Sequence, residues 1–123
     1  MDVTPLISSD KQIIQSYSET GFKISGKVYN SSVIVFPTRI VEWAPSPLAE
    51  IKQNDLDIQG LRDLDVILLG TGKAMSFPPP AFRKAMKEEG VQLEAMDTGA
   101  ACRTYNVLMA EGRRVAAALY KIQ

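Results

Sequence analysis

No histidine occurs anywhere in these 123 residues. That removes Ser-His and Cys-His dyads, histidine metal sites and the commonest general base at neutral pH. Cysteine is almost as scarce. Cys102 stands alone, so neither an internal disulfide nor a Cys-x-x-Cys metal site can form, and a reducing compartment fits best. An excess of one charge is missing too: 14 basic residues balance 14 acidic ones. No net field gathers nucleic acid or anionic lipid, and nucleic-acid binding is set aside. Long apolar runs are absent, and none approaches the roughly twenty residues of a membrane-spanning helix. The start, MDVTPLISSDKQIIQSY, has neither the basic-then-apolar pattern of a secretory signal nor the arginine-rich character of an organelle presequence. The expectation is a cytoplasmic, bacterial protein with no membrane insertion, no cofactor and no metal.

What is present suits a folded domain. Hydrophobic residues make up 46% and charged residues 23%, the balance of an ordinary globular chain. There is no internal repeat or low-complexity linker, so residues 1–123 are expected to form a single domain, with 1–10 a loose lead-in. QIIQSYSE and GFKISGKVY flank a Glu19-Thr20-Gly21 turn and predict a hairpin, with Gly26 read as a bulge. SVIVFPTRIVEWA predicts a third strand, interrupted at Pro37 by an edge position, a bulge or a bend. Asp55 suits the cap of a short helical turn carrying Leu56 and Leu61.

The second half alternates. DVILLG reads as a buried strand. Pro78 to Glu89 reads as a helix with a Phe82, Ala85, Met86 stripe, ended by Gly90. VQLEAM follows as a strand. Asp97 or Thr98 caps a helix over roughly Gly99 to Glu111, which Gly112 ends. RRVAAALYKI, apolar or small on both faces, closes the chain as an interior strand. A β-α-β-α-β order is the α/β class, and its first crossover is expected to be right-handed with parallel strands.

Gly70-Thr71-Gly72-Lys73 looks like a nucleotide loop and fails as one. A Walker loop needs glycine at position 67 and Ser or Thr after the lysine; the chain has Ile67 and Ala74. A dinucleotide fingerprint needs a third glycine where Met75 stands. Pro78, Pro79 and Pro80 also remove the N–H donors that a helix start offers an anion. What remains is a turn at the carboxyl end of a strand, where open α/β sheets place their ligands.

The expected site is therefore a crevice between loops 70–77 and 97–103, carrying Gly70, Thr71, Gly72, Lys73, Asp97, Thr98, Cys102, Arg103 and Asn106. Lys73 and Arg103 would add positive charge. Cys102 has two readings: a thiol activated by a helix start and Arg103, or a small apolar filler, the commoner fate of free cysteine. Glu88 and Glu89 are adjacent on a helix and point apart, which makes them poor acid–base partners. No catalytic residue is assigned.

The motifs LLGTGKAMSFPPPAFRKAM, VQLEAMDTGAACRTYNVL and EGRRVAAAL resemble those of a small α/β family once known only as a domain of unknown function. It includes a mitochondrial complex I assembly factor and an adipogenesis-associated protein. The resemblance implies a three-layer fold: a central mixed sheet, helices packed on it, and a small extra β-layer from the N-terminal strands. It implies no established enzyme activity and, for the mitochondrial member, assistance to complex I assembly through protein contacts. The function expected here is that of a non-enzymatic interaction protein with protein partners, with assembly of respiratory complex I as its candidate role. A small-molecule or anion binder, or enzyme, using the crevice is the alternative. Gly70, Thr71, Gly72, Met96, Thr98, Ala101, Cys102, Arg103, Asn106 and Arg113 match the family's motifs, and a match assigns no role.

Overall fold

In the computed structural model, which describes residues 10–56 and 60–122, the N-terminal strands fold back on themselves. Strands β1 (Ile14–Ser18), β2 (Gly21–Ile24) and β3 (Lys27–Tyr29) form an antiparallel three-stranded sheet. Gly26 is not a bulge. Ile24 pairs with Lys27 across a two-residue turn, and Ser25 and Gly26 both have positive φ, at 49° and 85°. That is the mirror-image turn whose twist matches that of the flanking strands. The irregularity in this sheet falls instead between Ile14 and Ser16. The expected lead-in over residues 1–10 lies outside the described residues except for Asp10.

The interrupted strand is a hairpin. β4 (Ser32–Phe36) and β5 (Arg39–Trp43) pair antiparallel, with Phe36 opposite Arg39 across Pro37-Thr38. Proline fixes φ and offers no N–H, so the chain turns there rather than bending onward. Three short 3-10 turns follow, at Leu48–Glu50, Gln53–Leu56 and Leu61–Asp63. The Asp55 carboxylate accepts from the Lys52 and Ser46 N–H groups and the Ser46 hydroxyl. Burial raises its pKa, but these bonds and the Lys52 charge outweigh it and hold the group below the ordinary value.

Then come β6 (Val66–Gly70), α1 (Pro80–Glu88), β7 (Leu93–Met96), α2 (Thr98–Ala110) and β8 (Val115–Leu119). The five-stranded sheet runs β5-β4-β8-β6-β7. β6 is parallel to both β7 and β8, and β4 is antiparallel to both β5 and β8. β8 lies in the middle and is buried throughout, as its two apolar faces require.

Alternation along β6 and β8 sorts the core onto two faces. Leu68, Val115, Ala117 and Leu119 face α2 and the small sheet, and there pack with Ile14, Phe22, Tyr105 and Met109. Ile67, Leu69, Ala116 and Ala118 face α1 and the 3-10 turns, and there pack with Trp43, Leu56, Phe82 and Met86. The result is a three-layer α/β fold with a mixed central sheet and an additional N-terminal β-layer.

Candidate functional site

The loops after β6 and β7 leave the same edge of the sheet and lie side by side. They are also bonded to each other. The Thr71 N–H donates to the Met96 carbonyl at 2.9 Å, and the Thr98 N–H donates to the Gly72 carbonyl at 2.9 Å. The Thr98 hydroxyl completes the junction. It accepts from the Gly72 N–H at 2.9 Å and donates to the Tyr120 carbonyl at 2.8 Å. The Tyr120 N–H in turn reaches the Gly70 carbonyl at 2.9 Å. Three chain segments thus meet on one buried threonine, which spends both hydroxyl functions on backbone groups.

The glycines are explained by this packing. A Cβ on Gly70 would lie 3.0 Å from the Thr98 Cα and 2.9 Å from Leu119 Cδ2. Gly72 has a φ of 113°, which side chains rarely adopt. The remaining loop closes on Thr71, whose hydroxyl donates to the Ala74 carbonyl at 2.8 Å and accepts from the Ser76 N–H at 3.1 Å. Asp97 caps α2 by accepting from the Ala100 N–H at 2.9 Å.

Gly70, Thr71, Gly72, Asp97 and Thr98 are therefore brought together, with Lys73 exposed at the rim. Cys102, Arg103 and Asn106 belong to a different neighbourhood, against the small sheet. Cys102 is 2% exposed, in the core with Ile14 and Phe22. Burial pushes its thiol up to about 12; Arg103 opposes this and Asp97 adds to it. The thiolate that a nucleophile requires is thus absent at neutral pH. Arg103 donates to the Tyr17 hydroxyl at 2.8 Å, and that ring lies directly over Gly99. Asn106 acts as a strand partner. Its amide accepts from the Ile14 N–H at 3.0 Å and donates to the Ile14 carbonyl at 2.8 Å. Beside it, the Tyr105 hydroxyl donates to the Gln12 carbonyl at 2.9 Å. These side chains fasten the N-terminal layer to α2.

Two open grooves lie along β7, and a third of about 340 Å³ lies between the 3-10 turns and α1. A groove of about 480 Å³ runs on the α1 side, lined by Phe77, Arg83, Lys87 and Leu93 among others. A second of about 370 Å³ runs on the α2 side, lined by Leu68, Met96, Leu108 and Arg113 among others. Phe77 is 69% exposed and Met75 44%, and the Arg83 guanidinium sits 5.4 Å from the Phe77 ring centre. The signal in the sequence was a phenylalanine before three prolines, outside any helical stripe. Among the described residues no three His, Cys, Asp or Glu side chains gather as a metal-ligand set, and no helix is long and apolar enough to cross a membrane.

Known proteins share this arrangement. An uncharacterised protein of Rhodobacter capsulatus is 32% identical over 110 residues, covering 86% of this chain and 82% of its own. NADH dehydrogenase (ubiquinone) 1 alpha subcomplex assembly factor 3 of Xenopus tropicalis is 32% identical over 114 residues, or 91% of this chain. This chain spans 62% of that relative's length. A crystal structure of a Bordetella parapertussis protein superposes with a TM-score of 0.81 at 33% identity, covering 90% of this chain and 96% of that one. The family model described as "Protein of unknown function (DUF498/DUF598)" matches residues 14–120. Since that match takes in β1 through β8 and both helices, the chain belongs to this family.

Proposed function

We propose that this chain is a non-catalytic interaction protein that assists assembly of a respiratory NADH dehydrogenase, acting in the cytoplasm. One observation carries the interaction reading. The loop junction, where an α/β sheet would hold a substrate, is filled by its own hydrogen bonds, whereas two open grooves flank an outer strand. The assembly role is supported by the relative from Xenopus tropicalis that bears that name. In a strain lacking the chain, assembled NADH dehydrogenase on native gels is expected to fall, and to recover when the chain is restored. Unchanged enzyme levels, together with no protein retained by the tagged chain, overturn the proposal.

A second reading is a small-anion binder at loops 70–77 and 97–103. It is favoured by the exposed Lys73 at the rim of two adjoining loops. Titration with inorganic phosphate tests it by amide chemical shifts. Shifts confined to those loops support it, and unmoved amides there end it.

A further inference from the structure

Strand β7 closes one end of the five-stranded sheet and pairs on one side only, with β6. The Gln92 and Met96 carbonyls accept from the Ile67 and Thr71 N–H groups, so their backbone faces inward. Strand alternation turns the N–H and C=O groups of Leu93 and Ala95 outward. Among the described residues nothing pairs with them. An edge of this kind is a template for another strand unless proline, lysine, a bulge or a covering element blunts it. Leu93–Met96 contains neither proline nor lysine, and its one charge is Glu94.

The two grooves lie on opposite faces of this strand. An added strand would sit about 4.8 Å outside β7 and direct alternate side chains to the two faces. Main-chain bonds then supply affinity, and the grooves supply selection. The charge differs between the grooves. Arg83 and Lys87 outnumber Glu94 on the α1 side, whereas on the α2 side Arg113 is set against Glu94 and an Asp65 that is paired with Arg114 at 2.9 Å. A second copy fits poorly. A two-fold pairing of β7 with β7 would lay α1 beside α1 and set Arg83 and Lys87 against the same cations.

We infer that the outer edge of β7 is a docking site for an extended, acidic segment of another protein, which adds a strand to the sheet and drops alternate side chains into the two grooves. This rests on the interaction reading and names its surface.

The probe is a short capped peptide alternating valine with glutamate, with a valine–lysine peptide as its control. The acidic peptide is expected to shift the amides of Phe77, Leu93 and Ala95. The basic one should bind at least about tenfold more weakly, as expected from like-charge contact. Ala95→Pro removes an outward N–H without touching the β6 ladder and should abolish the shifts. N-methylation of alternate amides in the peptide should do the same with the protein unaltered, so the result does not depend on how the variant folds. Unmoved edge amides, or equal binding after either blockade, overturn the inference. So does self-association of the wild type that Ala95→Pro removes. Pull-downs from cells separate the two readings. A partner retained equally by wild type and Ala95→Pro overturns the edge alone, and no partner for either overturns the interaction reading itself.

Discussion

Thr98 shows what a single hydroxyl can hold. It satisfies a buried N–H from one loop and a buried carbonyl from the last strand. Thr98→Val keeps the shape and leaves both groups unpaired, so a loss of about 2 kcal/mol is expected in chemical denaturation; no change would mean that these bonds do not stabilise the junction. Cys102 is expected to resist iodoacetamide at pH 8 in the folded protein and to react on unfolding. Its proton also links stability to pH. The unfolded thiol ionises near 8.5 and the folded one near 12. Between those values the unfolded state binds fewer protons, so stability is intact below about pH 8.5 and falls as pH rises, by at most about 1.4 kcal/mol per unit. Burial raises the pKa values of Tyr105 and Tyr120 as well, so they join at higher pH. Denaturation midpoints between pH 8 and 10 check this, and Cys102→Ala should flatten the slope there.

Both helices end in the same device. At α1 the Val91 N–H reaches the Met86 carbonyl and the Gly90 N–H reaches Lys87; at α2 Arg113 reaches Leu108 and Gly112 reaches Met109. These are the paired bonds of a Schellman cap, with Gly90 and Gly112 at φ of 78° and 80°. Neither glycine has a neighbour that a Cβ would meet. Only backbone strain therefore opposes a side chain, and Gly90→Ala or Gly112→Ala should each cost about 1 kcal/mol. Thermal melts read that directly. Gly70→Ala belongs to a different class, because its Cβ would press on the Thr98 backbone. Such end signals were legible in the sequence because they are local. The turn at Gly26 was harder to read, since its type depends on the positive φ of Ser25, and serine does not announce that.

For the whole molecule, the single-domain expectation has a clear test. Trp43 lies in the core on the α1 side, with its ring 5.1 Å from that of Tyr120, while Tyr105 lies in the core on the α2 side. The sheet strands contribute to both cores. Urea unfolding followed by Trp43 fluorescence and by far-UV circular dichroism should give one midpoint. Separate midpoints would show the layers melting apart.

The sequence by itself determined the absence of histidine chemistry, the failure of Gly70–Lys73 as a nucleotide loop, the α/β alternation, the parallel β6–β7 pairing and the helix ends. All of these depend on residue type, short-range spacing or chain connectivity. Tertiary structure alone decided that the two loops bond to each other, that Asn106 serves Ile14 from 92 residues away, and that Cys102 is sealed. It also decided which strand stands at the open edge. Each of these depends on which distant backbone groups are satisfied after the sheet has formed, and no local pattern encodes that pairing.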